Sequence, residues 1–138
     1  MRTVLLDTNV ILDIALKREP FFTNSAEVFR VIEKNHYNAF VSATSINDIY
    51  YIARKDKGHK TAIEFIKNLI ELVDIAGVDK FVILDAIDSN ITDFEDAIQN
   101  HAAIKIECDS IITRNKRDFK NSELQIFTPD EFLNTMKT

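Results

Sequence analysis

Near the N-terminus an apolar run, Val4-Leu5-Leu6, stops at an acid, Asp7, and Thr8-Asn9 leads straight into a helical pattern. A strand that lacks in–out alternation is buried on both faces, as parallel strands covered by helices are. A helix following at once is how an open parallel α/β sheet begins, and such sheets bind ligands in the crevice beyond the carboxyl ends of their strands. Asp7 stands at that end, so its chemistry is the first thing to explain.

The rest of the chain keeps the alternation. Val10, Ile11, Ile14 and Ala15 recur at helical spacing, and Pro20 is predicted to end that helix within a residue or two. A second helix is predicted over Ser25–Lys34 and a strand at Ala39–Val41. A helix from about Ser45, with Ile46, Ile49, Tyr50 and Ala53 inward, is broken at Asp56-Lys57-Gly58, and another runs from about Lys60 to Leu69. Then come a strand within Leu72–Ala76, helices near Asp79–Asp88 and Asp93–Ala103, and strands at Ser110–Thr113 and Gln125–Phe127. Thr128-Pro129-Asp130-Glu131 combines an N-cap, Pro at N1 and Glu at N3 ahead of a final apolar helix. Tyr50 and the Phe-rich stripes read as core. With two Gly and two Pro there is little loop material and no repeat or linker. The prediction is one domain over residues 1–138, a three-layer α/β/α, Rossmann-like arrangement around a parallel sheet of four to five strands.

Composition removes several classes of function. The single cysteine, Cys108, forms no internal disulfide, and His36, His59 and His101 are too scattered to join it at zinc-ligand spacing. No basic segment precedes an apolar one at the N-terminus, and no apolar stretch approaches the ~20 residues of a membrane span, which predicts a cytoplasmic protein with no membrane partner. A net charge of −5 argues against wrapping nucleic acid in a broad basic surface. Yet Asp7, Asp48, Asp93, Asp96 and Asp118 equal the whole excess of 22 acids over 17 bases. If they share a site, the remaining surface is neutral on balance.

Each acid also has an ordinary explanation. Asp7 would cap the next helix. Ser45-x-x-Asp48 and Thr92-x-x-Glu95 match capping boxes, and acids such as Asp93 and Asp96 suit the first turn of a helix. Asp118 would be a turn former after the polar stretch Thr113-Arg114-Asn115-Lys116-Arg117. Taken jointly they point elsewhere, because strand ends after Leu6 and Thr113 and the nearby helix starts converge on one edge of such a sheet. Carboxylates about 4 Å apart repel by about 4 kcal/mol at an effective dielectric of about 20, and a divalent cation resolves that. Oxygen ligands without a His or Cys cluster point to Mg²⁺ or Mn²⁺.

Leu5-Leu6-Asp7-Thr8-Asn9, Ser45-Ile46-Asn47-Asp48-Ile49-Tyr50-Tyr51, Asp93-Phe94-Glu95-Asp96-Ala97 and Ile111-Ile112-Thr113-Arg114-Asn115-Lys116-Arg117-Asp118-Phe119 together resemble the PIN-domain family of ribonucleases. The resemblance spans nearly the whole chain, in order. It implies a PIN-like fold in which Asp7, Asp48, Asp96 and Asp118 match the catalytic acids, with Asp7, Asp96 and Asp118 as metal ligands. Asn9, Asp93, Thr113 and Asn115 are supporting residues. The second acid of that quartet is most often Glu, and here it is Asp48, one methylene shorter. A PIN domain of this size resembles the toxin half of a VapC-like type II toxin–antitoxin pair, which implies an antitoxin partner and a homodimer.

The chemistry expected is Mg²⁺- or Mn²⁺-dependent hydrolysis of RNA phosphodiester bonds, with Arg114, Lys116 and Arg117 tracking the phosphate backbone. The basic turn Arg54, Lys55, Lys57, His59, Lys60 reads as a solvated turn. Two other readings compete. A haloacid-dehalogenase-type phosphatase needs a second Asp two residues after Asp7, where Asn9 stands. A catalytically weak or inactive module would keep the fold and bind nucleic acid or protein; metal affinity separates it from the nuclease.

Overall fold

A computed structural model describes residues 2–136. The elements are β1 Thr3–Leu6, α1 Thr8–Ala15, α2 Phe22–Lys34, β2 Asn38–Ser42, α3 Ala43–Lys57, α4 His59–Leu72, β3 Asp74–Ala76, α5 Lys80–Ile87, α6 Phe94–Lys105, β4 Ser110–Ile112, a 3-10 turn Lys116–Phe119, β5 Gln125–Phe127 and α7 Pro129–Asn134. The strands form one five-stranded sheet in the order β3-β2-β1-β4-β5, and every pairing is parallel.

From Val4 to Leu6 the first strand is apolar because both its faces are covered. Val4 and Leu6 pack with Val10, Ile11 and Leu12 of α1, Val28 and Ile32 of α2, Ile49 of α3, Leu69 of α4 and Phe132 of α7. Leu5 and Ile111 face the other way, onto Val82 and Ala86 of α5, Ala97, Ile98, Ala102 and Ala103 of α6, and Phe119. Strand order reverses at β1, whose neighbours are β2 on one side and β4 on the other. Chains that cross in opposite senses part at that point and open a crevice at the carboxyl ends. The β1–β4 register pairs Leu6 with Ile112, so the residues following each of them, Asp7 and Thr113, sit side by side at the crevice.

Helix ends depart from the predicted ones for a definable reason. Helix α1 stops at Ala15, well before Pro20, because Lys17 adopts a left-handed φ of 49° and the Lys17 and Arg18 amides donate to the carbonyls of Ile14 and Asp13. His36 (φ 56°) after α2 and Glu107 (φ 59°) after α6 stand in the same conformation, with Tyr37 N–H on Ile32 O and Cys108 N–H on Ala103 O. This is the 6→1 closure that glycine normally supplies, and the chain has only two glycines. An L-residue pays about 1 kcal/mol there. His36→Gly, at an exposed position, is therefore expected to stabilise the fold by about 0.5–1 kcal/mol, read as a rise in the denaturation midpoint with an unchanged m-value.

Two predicted caps move. Helix α3 is capped by Ser42, whose Oγ accepts from Ser45 N–H, so Ser45 is the third helical residue and no Ser45/Asp48 capping box forms. Helix α6 is capped by Asp93, whose carboxylate accepts from Asp96 N–H, and not by Thr92. The Thr128/Glu131 capping box with Pro129 forms as expected. The apolar stripes are not all core: Phe94, at the start of α6, is 50% exposed, and on α5, which is apolar around most of its circumference, Phe81 is 68% exposed while Val82 and Ala86 are buried. Tyr50 is half-buried, its hydroxyl 2.7 Å from His59 Nδ1.

Candidate active site

Asp7 occupies the N-cap position of α1, yet its side chain makes no capping bond. It is 3% exposed, and both oxygens are committed elsewhere. Oδ1 accepts from Gln99 Nε2 at 2.9 Å and Oδ2 from Thr113 Oγ1 at 2.7 Å. Burial pushes its carboxyl above the ordinary range, the Thr113 and Gln99 hydrogen bonds pull it back, and the charge of Asp118 pushes it up again. Such placement costs energy that an ordinary cap does not.

The carboxylate rests on a buried polar relay. Thr113 Oγ1, which donates to Asp7, accepts from Asn115 N–H at 3.0 Å. Gln99 Oε1 accepts from Ser45 Oγ at 3.3 Å, and Ser45 Oγ accepts from Thr8 Oγ1 at 2.7 Å. Gln99 is 1% and Ser45 1% exposed. Each supports Asp7 through geometry that only tertiary structure creates, and neither was singled out for it by sequence. The available signal was Gln99 itself, one helical turn after Asp96 within an apolar helix.

The other predicted acids fall into two groups. Asp96, half-buried in the first turn of α6, has its carboxyl pushed up to about 7, by burial first and then by Asp7, Asp93 and Asp118. These four therefore share one electrostatic neighbourhood, with Asp118 exposed on the 3-10 turn and Asp93 exposed at the cap. Asp48 faces a different partner: its hydrogen bond to Glu95, together with partial burial and the charges of Asp48, Asp93 and Asp96, raises Glu95 to about 8. Glu95 is an acid the sequence reading assigned only to a cap. Among the described residues no three His, Cys, Asp or Glu side chains converge at metal-holding spacing.

Asn9 is half-buried on the first turn of α1, and Asn115 is exposed. The three predicted cations go to different places. Arg114 lies against Asp13, Nε to Oδ2 3.1 Å, and over the Phe21 ring at 4.1 Å. Lys116 pairs with Glu131 at 3.2 Å. Arg117 is exposed and, with Lys120, Asp93, Asp118 and Asn121, lines a cavity of about 420 Å³ beside the acids.

No curated protein matches this sequence. The fold is similar to that of VapBC2 from Rickettsia felis, solved bound to a DNA fragment from the promoter, with a TM-score of 0.70 and 16% identity over 91% of this chain and 98% of that one. It is similar to a toxin–antitoxin complex from Klebsiella pneumoniae (TM-score 0.70, 18% identity, 91% and 97% covered). A third similar structure is Mycobacterium tuberculosis VapC20, a sarcin–ricin loop cleaving toxin (TM-score 0.63, 13% identity, 78% and 86% covered). At these identities the likeness is one of fold. The PIN-domain family model matches residues 3–117, from the first strand into the 3-10 turn that carries Asp118. With most of its length covered by that model, the chain belongs to the PIN-domain family.

Proposed function

We propose that this chain is a Mg²⁺- or Mn²⁺-dependent ribonuclease that hydrolyses RNA phosphodiester bonds, and that it is the toxin of a type II toxin–antitoxin pair. One observation carries the reading: a buried carboxylate, Asp7, is held by two donated hydrogen bonds at the topological switch point, and every charged neighbour that shifts Asp7 or Asp96 is another acid. Acids gathered this way suit a hard divalent cation, which prefers oxygen donors. Asp7, Asp96 and Asp118 would hold it, with Asp93, Asn9, Thr113 and Asn115 in support. When bound, the metal supplies a water of lowered pKa and stabilises charge at the leaving oxygen.

The chain's own groups do the rest. Gln99 and Thr113 hold the Asp7 carboxylate in one orientation at the end of β1. Asp48, the fourth acid of the set, hydrogen-bonds Glu95 and raises its carboxyl to about 8, so the two would share a proton near neutral pH. Arg117, with Lys116 and Lys120 near it, meets the phosphate backbone, whereas Arg114 is engaged by Asp13. The solved VapBC and Klebsiella complexes support an antitoxin partner made separately. The outward apolar side chains Phe81 and Ile87 of α5, 68% and 61% exposed, support a homodimer.

The test is cleavage of a mixed single-stranded and structured RNA pool with Mg²⁺, with Mn²⁺ and in EDTA. Cutting with either metal and none in EDTA is the expected result. No cutting, together with no Mn²⁺ binding by calorimetry, would leave an inactive PIN-fold binding module.

A further inference from the structure

Asp13 is fully buried on α1, and neither of its carboxylate oxygens makes a hydrogen bond. Among the described residues its compensation is ionic: Arg114 Nε at 3.1 Å and Arg18 Nη1 at 3.9 Å. Arg114 Nε is buried without a well-aligned acceptor as well. A pair built like this is a poor source of stability, because the desolvation of two charges rivals their attraction and apolar replacements of similar volume do as well. Its position gives it a different use. Arg114 directly follows Thr113, the residue that donates to Asp7, and precedes Asn115, whose amide ties back to the Thr113 hydroxyl. The guanidinium is further confined by the Phe21 ring at 4.1 Å, at the start of α2. Asp13 in turn is held at the end of α1, where its carbonyl accepts from Arg18 N–H.

We infer that Asp13 and Arg114 are positioning residues: the pair anchors the segment after β4 to α1, so that Thr113 keeps its hydroxyl on Asp7 and the 3-10 turn keeps Asp118 facing the other acids. This rests on the metal-site reading above. Arg suits the task because its planar fork pairs and stacks at once, which a lysine ammonium does not.

The test is the double variant Asp13→Leu/Arg114→Met, which removes both charges together and leaves no unpaired one. Its melting temperature is expected to stay close to wild type. In the metal-free protein, amide exchange at Asn115 and Asp118 should quicken at least about tenfold, and Mn²⁺ affinity by calorimetry should drop about 10–100-fold, the usual cost of losing a supporting contact around a metal ligand. Unchanged exchange at both amides, with unchanged Mn²⁺ affinity, would overturn the inference and leave a purely structural pair. Should the double variant fail to fold, Arg114→Lys, which keeps the charge but not the stack on Phe21, must show the same quickened exchange, and wild-type exchange there would overturn the inference too. The exchange readout needs no metal. A wild-type chain that binds no Mn²⁺ would thus count against the proposed function while the exchange rates still decide the role of the pair.

Discussion

Asp7→Asn is expected to cut RNA cleavage at least about 100-fold while the protein stays folded. The loss follows from removing the buried charge at the centre of the acid group; supporting contacts alone are worth about 10–100-fold in metal sites, and a ligand is worth more. The fold survives because an asparagine side chain is nearly isosteric with the aspartate and the relay can re-form. The substituted amide would keep its carbonyl oxygen toward Gln99 Nε2 and turn its NH₂ toward Thr113 Oγ1, which has a spare lone pair once its hydroxyl rotates. Removing a carboxylate that burial already disfavours offsets the weaker hydrogen bonds, so stability should change by no more than about 1 kcal/mol. Initial cleavage rates at saturating Mg²⁺, beside a thermal melt, check both halves. A variant retaining a tenth of the wild-type rate would remove Asp7 from the reaction.

Asp96→Asn should abolish cleavage to a similar degree and, in EDTA, make the protein more stable. The Asp96 carboxyl is raised from 3.8 to about 7, first by burial and then by Asp7, Asp93 and Asp118. Between about pH 4 and pH 7 the folded chain therefore keeps a proton that the unfolded chain has released. Stability falls as pH rises through that window and is lowest above pH 7. A shift of about 3 pK units corresponds to about 4 kcal/mol at face value, and solvent screening of this partly exposed group brings it to about 1–2 kcal/mol. Asp96→Asn should recover that amount near pH 8, about 5 °C in melting temperature, and flatten the decline. In wild type, Mg²⁺ at the proposed site would take the place of the proton: at about 100 times its dissociation constant it should add about 2.7 kcal/mol, and the variant should gain far less. Melts from pH 5 to pH 8, with and without Mg²⁺, supply the comparison. An Asp96→Asn protein no more stable than wild type at pH 8 would mean the acids do not repel as described.

The order of the elements and the edge where Asp7 lies were readable because hydrophobic period and strand ends are local properties. Strand β1 carries the apolar run Val4–Leu6 and β4 carries Ile111-Ile112, and the crevice follows from their parallel pairing. What stayed hidden is pairwise. Gln99 meets Asp7 across 92 residues and Thr113 meets it across 106, and a helical wheel gives a face without naming the partner on it. Glu95 was read as half of a capping box because the spacing from Thr92 allowed it, yet Asp93 won the cap and left Glu95 to Asp48. Ser45 was read as the cap of α3, but Ser42 takes that place and Ser45 joins the relay under Asp7. Asp13 lay among apolar neighbours in the α1 stripe, and its contacts with Arg114 and Arg18 emerge only in the fold.

Placing β1 in the middle of the sheet also sets a clock. The first strand made cannot acquire its β4 neighbour, nor Asp7 its Thr113 hydroxyl, until 106 further residues have been added. At about 5–20 residues per second that is an interval of roughly 5–20 s. Contacts so distant in sequence also form late in folding, after the long intervening loop has been closed. Throughout that interval the growing chain carries Asp7 with the crevice unbuilt, so the proposed cation site cannot form until the segment holding Thr113 has emerged.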